Sequence, residues 1–567
     1  MFEHARRRLG LIAILLFALA ALLVARLVVL QVVRGASYET SGREGRKAQL
    51  RLPDSPRGCI RDRNGFLLAG NRPLYAIEAY PAYIPEPDVT EVVDQLAPLL
   101  QIARAYLHVI LSGEEEWVIL EPEATPQLAQ LVDQVHAGGI GTQLWWGRVY
   151  PAGELTALVL GFVGKGGEEG FYGIEGFYEG KLSPTRVSWE GEVDAQTRDP
   201  LPFEEGTIEP PLPGVDLDLT LDLAVQELAG QELARALDEF RAESGTVIVM
   251  DPRTGAILAM VSFPSYDPDR YDEYAERNER LFVNPAVGSQ YEPGSVFKIV
   301  TMAAALDSGT VTPETTYADE GQIEHGGEVT YNWDRRAYGE QDMSGILIHS
   351  LNVGAVWLSV RMGPDVFYRY VHAFGIGSLT GVDIQEEVAG ELRVPGDLDW
   401  HDSDLAANAY GQALAVTPIQ MISAVAAVAN DGRLMRPHFV SRQVAPDGAV
   451  RTRHPVVLGQ PISPEVAHTL TEMLVEVVEQ EVHQARVPGY RVAGKTGTAE
   501  IPVPGGYDEQ ETIASFVGYG PADDPQLIIL VKLDRPQTSR FGGDTAAVVF
   551  SRLASQLFPM LGVQPVE

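Results

Sequence analysis

The strongest hydrophobic pattern in the chain is an uncharged run from Leu9 to Ala25, which resumes after Arg26 and continues to Val33. As a helix these 25 residues can cross a hydrocarbon core roughly 30 Å thick. Arginines at positions 6–8 precede the run, so the positive-inside rule predicts a cytoplasmic N-terminus and an extracytoplasmic remainder. A cleaved signal peptide is the alternative, because Ala18-Leu19-Ala20 has the pattern of a cleavage site. The apolar run continues past that point, which favours an uncleaved single-pass membrane anchor.

After the anchor, short strand-like and helix-like patterns alternate between many proline and glycine breaks. The proline-rich stretch EEGTIEPPLPGV places a domain boundary near residues 205 to 216. We therefore predict three parts: a cytoplasmic tail and transmembrane anchor at 1–35, an α+β domain at 36–215, and a larger domain at 216–567.

The larger domain has patterns typical of a sheet with helices around it. Thr220 is the predicted N-cap of a helix, LDLAVQELAGQELARALDEF, whose apolar residues recur at three- and four-residue steps. The runs TVIVMD and AILAMVS flank a turn at residues 252–255, and ASFVGYG and LIILVKL flank PADDPQ. Strands at both ends of mostly helical sequence predict a mixed α/β fold with helices covering one antiparallel sheet.

Composition narrows the possible functions. The chain has 43 lysines and arginines against 78 aspartates and glutamates, a formal charge of −35. A surface this acidic repels phosphate backbones and makes nucleic acid a poor partner. Only six of the basic residues are lysines, which include Lys298 and Lys495. A lysine can lose its proton when its surroundings depress its pKa, whereas an arginine cannot, so these few lysines are candidates for chemistry.

Three short motifs could carry that chemistry. Ser295 and Lys298 form S-x-x-K at the start of an apolar run that we expect to be a helix ending near Gly309, which would put both side chains on one face. Alone, this motif also fits a capping serine followed by an ordinary lysine. Ser350-Leu351-Asn352 adds a hydroxyl and an amide. Lys495-Thr496-Gly497-Thr498 reads as a strand whose glycine would let a substrate backbone lie alongside.

With S-x-x-K, S-x-N and K-T-G in this order, the chain resembles the class B penicillin-binding proteins, which are membrane-anchored peptidoglycan D,D-transpeptidases. The likeness covers almost the whole chain. RGCIRDRNGFLLA, RVYPAGELTALVLGFVG and GIEGFYEGKL are similar to the motifs of the family's pedestal domain. The resemblance therefore implies that residues 36–215 form an elongated α+β pedestal domain. NPAVGSQYEPGSVFK, YGQALAVTPIQM and ASFVGYGPADDP are similar to its catalytic domain, which has a β-lactamase-like fold.

The resemblance implies a role for each motif residue. Ser295 would attack the carbonyl between two terminal D-alanines of a stem peptide, and Lys298 would take its proton. Ser350 would relay the proton, Asn352 would bond the peptide backbone, and Lys495 would help to depress the pKa of Lys298. Thr496, Gly497 and Thr498 would bind the substrate and its carboxylate. The backbone N–H groups of Ser295 and Thr498 would form the oxyanion hole.

The family also implies partners. β-Lactams would be covalent inhibitors, and a membrane-embedded glycosyltransferase would be the partner of the anchor and pedestal. We expect no cofactor and no metal, since the chain has no H-E-x-x-H or clustered Cys/His pattern. The sequence contexts favour a division (septal) enzyme over an elongation enzyme. Other functions left open are a catalytically lapsed cell-wall scaffold, a β-lactam sensor or hydrolase, and a Ser-His-Asp site built on His349.

Overall fold

The computed structural model describes residues 55–85, 88–113, 115–164, 169–185, 188–190, 207–209, 211–276, 278–503 and 506–565. Residues 56–183 and 213–567 form one compact unit. Within the described ranges no helix is both long and apolar enough to cross a membrane. The anchor predicted from Leu9 to Val33 lies outside these ranges.

The amino-terminal part of the unit is a small sheet with helices on it. Its elements are β1 (Ile60–Arg61), β2 (Leu67–Ala79), α1 (Val89–Leu100), α2 (Arg104–Leu111), β3 (Val118–Ala124), α3 (Pro126–Asp133), β4 (Ile140–Val149), α4 (Glu154–Leu160), β5 (Phe162–Val163), β6 (Gly170–Phe171), α5 (Gly173–Phe177) and α6 (Glu179–Leu182). Strand β2 pairs antiparallel with both β3 and β4, and residues of α1, α2 and α3 share a separate hydrophobic core with it. A second unit contains the antiparallel hairpin of β7 (Ser188–Glu190) and β8 (Thr207–Glu209), so β8 occupies part of the predicted linker.

The carboxy-terminal part contains the motifs. Its elements are β9 (Asp216–Leu219), α7 (Leu223–Phe240), β10 (Ser244–Asp251), β11 (Ala256–Phe263), α8 (Tyr271–Ala275), α9 (Pro285–Gly288), α10 (Lys298–Asp307), β12 (Tyr317–Asp319), β13 (Gln322–His325), β14 (Glu328–Tyr331), β15 (Gly339–Gln341), α11 (Met343–Ile348), α12 (Asn352–Met362), α13 (Pro364–Ala373), α14 (Asp402–Ala409), α15 (Pro418–Ala429), β16 (Leu434–Met435), β17 (Val440–Val444), β18 (Val450–Thr452), β19 (Val457–Gly459), α16 (Pro464–Gln480), β20 (Ala493–Val503), β21 (Gly506–Gly520), β22 (Leu527–Asp534) and α17 (Ala546–Met560). Short 3-10 turns lie at Pro81–Tyr83, Pro268–Arg270, Glu279–Phe282, Gly294–Phe297 and His483–Ala485.

A five-stranded antiparallel sheet is the centre of this part, in the order β11-β10-β22-β21-β20. Both strand pairs predicted from the sequence, β10 with β11 and β21 with β22, are confirmed. The interiors of β10, β11 and β22 are buried at every consecutive position, so both faces of the sheet are covered. Helices α7 and α17 contact each other and the sheet, as do α15 and α16. The K-T-G-T motif lies on the edge strand β20.

A second sheet joins the amino-terminal and carboxy-terminal parts. Strand β1 pairs antiparallel with β2 and parallel with β9, and β9 pairs with β17. Next to this joint, Arg57 and Arg148 each contact the buried carboxylate of Glu175, at 2.6 and 2.7 Å. Removing one partner of ion pairs this deeply buried is strongly destabilising, so they hold together the amino-terminal segments that flank the joint.

The expected N-cap at Thr220 is wrong. Helix α7 begins after Asp222, whose carboxylate accepts from the backbone N–H groups of Ala224 and Val225 at 3.1 and 3.4 Å. The Thr220 hydroxyl instead bonds the carbonyl of Ile257 at 2.7 Å. A capping aspartate two residues further on competes well with threonine, and the pairing of Thr220 with β11 is a tertiary contact that local sequence does not reveal.

Candidate active site

Ser295 lies in a tight turn at the start of a buried helix. Residues Gly294–Phe297 form a 3-10 turn, and α10 follows directly from Lys298. The helix ends at Asp307, and Gly309 has the left-handed backbone (φ +69°) expected just beyond a helix end. Gly294 also has positive φ, at +55°, and a side chain there would come within 3.2 Å of the Thr498 carbonyl oxygen. Glycine at 294 therefore lets the serine turn approach the edge strand closely.

Lys298 is the centre of the site. Its side chain is 1% exposed, and its Nζ lies 3.0 Å from Ser295 Oγ. The same nitrogen lies 2.6 Å from the Ser350 carbonyl oxygen, 3.3 Å from Ser350 Oγ and 2.7 Å from Asn352 Oδ1. These contacts bring the S-x-x-K and S-x-N motifs together around one amine.

The third motif completes the cluster. Lys495 is also 1% exposed. Its Nζ lies 3.1 Å from Ser350 Oγ and 3.4 Å from Thr496 Oγ1. The Ser350 hydroxyl is therefore in contact with both lysines, and the three motifs, separated by up to two hundred positions in the chain, share one cluster of side chains.

The electrostatics of the cluster favour a neutral amine at Lys298. Burial lowers the pKa of Lys298 well below its usual value, and the nearby Lys495 cation lowers it further. Burial also lowers the pKa of Lys495, to about 8, although Glu481 acts in the opposite direction. Within hydrogen-bonding distance of Lys298 Nζ, the described residues place four neutral oxygens. The site therefore contains a lysine whose amine holds a proton much less tightly than a free lysine does.

Ser350 has a strained backbone. Its φ is +55°, in the left-handed region that non-glycine residues seldom adopt. This conformation lets one residue present both its carbonyl oxygen and its hydroxyl to Lys298. Such strain persists only where surrounding contacts determine it, as happens at functional sites.

Asn352 and Gly497 make contacts within the protein in addition to the substrate contacts expected from the sequence. Asn352 directs its amide oxygen to Lys298 and donates through Nδ2 to the Tyr331 carbonyl at 3.1 Å, so both ends of the amide have protein partners. A side chain at Gly497 would meet Ser515 Oγ at 2.3 Å and the Pro293 carbonyl at 2.9 Å. Glycine is required there so that β20 can pack against β21 and the serine turn, a reason that the sequence alone did not supply.

Thr496 and Thr498 are half-buried along β20. Thr498 Oγ1 accepts from the backbone N–H of Gly542 at 3.2 Å, which ties the loop after β22 to the edge strand. Next to that glycine, the exposed ring of Phe541 packs edge-on against Trp333 with 5.9 Å between centroids. Trp333 donates through Nε1 to the His349 carbonyl at 3.2 Å. An aromatic pair therefore borders the cluster, and no motif indicated it.

The alternative triad on His349 receives no support from the described contacts. The His349 ring stacks on Tyr338 with 4.9 Å between centroids. The neighbouring Ser350 hydroxyl contacts the two lysines.

Sequence reasoning also passed over Glu292, three positions before Ser295 in YEPGS. Its side chain is 8% exposed, and one carboxylate oxygen accepts from the Tyr507 hydroxyl at 3.1 Å. The sequence signal that could have identified Glu292 is an acidic residue three positions before a candidate nucleophile.

Replacing Lys495 with glutamine should move the pH dependence of acylation to higher pH. If Lys298 is the base for acylation, the rate depends on its neutral form and rises with pH through the pKa of that lysine. The Lys495 cation lowers this pKa, and its removal should raise it. The measurement is the rate of labelling by a fluorescent penicillin from pH 5 to 10, comparing the midpoint of the rise. The midpoint is compared, and not the maximal rate at high pH, because the maximal rate also reflects binding of the drug carboxylate. An unchanged midpoint would show that Lys495 does not tune Lys298.

Two protein-family models match the chain. The family model of the penicillin binding protein transpeptidase domain matches residues 245–555. The model of the penicillin-binding protein dimerisation domain matches residues 53–219. Together these two models span most of the chain after the predicted anchor.

Individual relatives are similar along nearly their full length. Stage V sporulation protein D of Bacillus subtilis is 33% identical over 574 residues, which cover 98% of this chain and 86% of that protein. The peptidoglycan D,D-transpeptidase FtsI homolog of Mesostigma viride is 28% identical, covering 98% and 96%. The crystal structure of penicillin binding protein 3 from Mycobacterium tuberculosis, complexed with aztreonam, superposes with a TM-score of 0.70 at 28% identity, covering 91% of this chain and 98% of that one. The chain belongs to the class B penicillin-binding proteins.

Proposed function

We propose that the protein is a peptidoglycan D,D-transpeptidase that works through an acyl-enzyme on Ser295. The observation that carries this proposal is the buried amine of Lys298, 3.0 Å from Ser295 Oγ and surrounded by neutral oxygens. A neutral amine has two N–H donors and one lone pair. The Ser350 carbonyl and Asn352 Oδ1 accept the two N–H bonds, which leaves the lone pair for the Ser295 hydroxyl proton.

In the first half-reaction, Ser295 Oγ attacks the carbonyl between the two terminal D-alanines as its proton moves to Lys298. The Ser350 hydroxyl, in contact with both lysines, is placed to pass this proton to the departing D-alanine nitrogen. The N–H groups of Ser295, at a helix start, and of Thr498, on the edge strand, are proposed to hold the oxyanion. Lys495, with Thr496 and Thr498, is proposed to bind the substrate carboxylate.

In the second half-reaction, an amine from a neighbouring stem peptide attacks the ester carbonyl. The bond between that carbonyl and Ser295 Oγ breaks, the serine recovers its proton, and a cross-link forms. β-Lactams present the same acyl centre and leave a slowly resolved ester. We therefore propose that they inhibit this protein covalently, as the complex of the mycobacterial relative with aztreonam suggests.

The full-length protein in detergent should release D-alanine from a pentapeptide stem ending in D-Ala-D-Ala, and prior treatment with penicillin should block the release. Intact-mass measurement should show a long-lived adduct with the mass of the whole drug. Absence of both D-alanine release and an adduct would favour a lapsed scaffold, and rapid turnover of the adduct would favour a sensor or hydrolase.

We further propose that the protein is a single-pass membrane enzyme of the division septum. The apolar run from Leu9 to Val33 supports the anchor, and the contexts GSVFK and GKTGTAE favour the division type over the elongation type. The proposed partner is a membrane-embedded glycosyltransferase that contacts the anchor and pedestal. A fluorescent fusion should concentrate at midcell in dividing cells, and a uniform lateral distribution would favour the elongation type.

A further inference from the structure

Residues 331–333, at the end of strand β14, hold the S-x-N motif at three points. Three hydrogen bonds join the two segments: from Asn352 Nδ2 to the Tyr331 carbonyl at 3.1 Å, from the Val353 N–H to Asn332 Oδ1 at 3.2 Å, and from Trp333 Nε1 to the His349 carbonyl at 3.2 Å. They meet the chain just before Ser350, at Asn352 and just after it. The left-handed backbone of Ser350 needs such contacts from its surroundings to persist. The motif is therefore held by a segment that lies outside the three motifs.

Asn332 is the fixed point of this segment. It is buried, and its side-chain Nδ2 donates to Asp319 Oδ1 at 2.9 Å and to the Arg336 carbonyl at 3.0 Å. Its Oδ1 accepts from the N–H of Val353, in the first turn of helix α12. That helix has no side-chain cap from its own N-cap residue. Asn332 therefore supplies, from a distant segment, the hydrogen bond that a capping side chain normally makes.

Asp319 holds Asn332 in place. Its carboxyl is buried, and Oδ1 accepts from Asn332 Nδ2 and from the backbone N–H groups of Gly321 and Tyr338, at 3.0 and 3.1 Å. Its Oδ2 accepts from the Tyr317 hydroxyl at 3.0 Å. A buried polar network is rigid when every member has its partners. The carboxyl and the amide together fix the backbone that faces the S-x-N motif.

The network decides which end of the Asn352 amide meets Lys298. The Tyr331 carbonyl belongs to the same peptide group as the Asn332 N–H, which donates to the Gly321 carbonyl at 3.3 Å. That peptide group is thereby fixed with its oxygen toward Asn352 Nδ2. With Nδ2 engaged there, Oδ1 is the end that faces Lys298 Nζ, at 2.7 Å. An amide turned the other way would present its N–H groups to the lone pair that the serine proton needs.

On the basis of the proposed transpeptidase function, we propose that Asn332 and Asp319 are positioning residues of the active site. They hold the start of α12 and the last carbonyl of β14 in place. Asn352 can then accept an N–H of Lys298, and the amine lone pair stays directed at the serine hydroxyl. Both residues act through Asn352 and do not take part in the chemical steps.

The test is the rate of labelling of the full-length protein in detergent by a fluorescent penicillin, over the pH range used for Lys495→Gln. For Asn332→Ala we expect a rate up to ~100-fold lower, the cost of a small misplacement at the reacting centre. The midpoint of the rise with pH should also move down. The Asn352 oxygen stabilises the protonated amine, so losing this contact lowers the pKa of Lys298 further. The charge that lowers this pKa, on Lys495, is unchanged, and the shift is opposite to that expected for Lys495→Gln.

Three further variants separate positioning from a general loss of stability. Asp319→Ala should change the rate and the midpoint as Asn332→Ala does. Asp319→Asn should restore both, because three donors face Oδ1 and the new Nδ2 can donate to the Tyr317 hydroxyl. Tyr317→Phe is the matched control, since it removes a buried hydrogen bond from the same carboxyl and leaves the partners of Oδ1 intact. It should keep the wild-type midpoint.

Melting temperature is recorded for every variant. If Asn332→Ala does not fold, Asn332→Ser makes the same test, because its hydroxyl can bond Asp319 but is too short to reach Val353 as well. An unchanged midpoint in the folded Asn332 variant, or the same shift in Tyr317→Phe, would overturn the proposal. Failure of the wild type to form a penicillin adduct at Ser295 would instead overturn the transpeptidase function itself.

Discussion

Replacing Ser295 with alanine should abolish covalent labelling by penicillin and reduce D-alanine release by at least ~10³-fold. The ester should form on the Ser295 oxygen, because among the described residues the Ser295 hydroxyl is the one nearest to the Lys298 amine, at 3.0 Å. The Ser350 hydroxyl is the nearest competitor, at 3.3 Å from the amine. Its left-handed backbone, however, directs it to both lysines as a relay. Labelling is measured by gel fluorescence and by intact mass.

The matched control is Ser289→Ala, six residues upstream on the exposed side of the same segment. This variant should label like the wild type, and both variants should keep the wild-type melting temperature because neither serine is in the core. Equal labelling of Ser295→Ala and wild type would refute the assignment. Residual labelling that disappears in a Ser295→Ala, Ser350→Ala double variant would move the nucleophile to Ser350.

Local sequence was sufficient for the strand pairs. Each pair has two largely apolar runs around a short turn. Such runs are buried on both faces when helices cover both sides of the sheet. The position of the helix start near Thr220 was predicted less well, because Asp222 offers the same capping chemistry two residues later. The choice between them depends on β11, which accepts the Thr220 hydrogen bond only once the sheet has formed.

In the candidate site, too, local contacts could be predicted from the sequence and contacts between distant segments could not. The spacing of Ser295 and Lys298 within one turn predicted their contact, since positions three apart on a helix are neighbours. Neither the orientation of Asn352 toward Lys298 nor the packing reason for Gly497 could be predicted, since both depend on segments distant in sequence. Glu292 was visible in the sequence, but its hydrogen bonds from Ala413 and Tyr507 come from segments distant in sequence and could not be predicted.

The burial of two lysines close together has a cost in stability. A lysine whose pKa is lowered by folding binds its proton less tightly in the folded state than in the unfolded state. The folded protein is therefore penalised at every pH below the unfolded pKa of about 10.4. The penalty disappears as the pH rises above that value. The arrangement therefore keeps the amine reactive and lowers the stability of the fold.

Replacing Lys298 with arginine should reduce the acylation rate by ~10² to 10⁴-fold, the usual contribution of a general base. Arginine keeps the positive charge but cannot give up its proton, so it has no lone pair for the Ser295 hydroxyl. Lys298→Gln, which is uncharged and smaller, should be equally inactive and separates the loss of a base from the burial of a charge. The rate of penicillin labelling is measured for both, with melting temperature as the test of folding.

Lys532→Arg is the matched control. Lys532 is a third largely buried lysine, but it pairs with Asp534 and lies over the Tyr291 ring, so a permanent charge suits its surroundings. This variant should acylate at the wild-type rate. If Lys298→Arg does so as well while remaining folded, Lys298 is not the base, and the proton of Ser295 must leave by another route. Ser350 and Lys495 would then be the remaining path, since the Ser350 hydroxyl lies 3.1 Å from Lys495 Nζ.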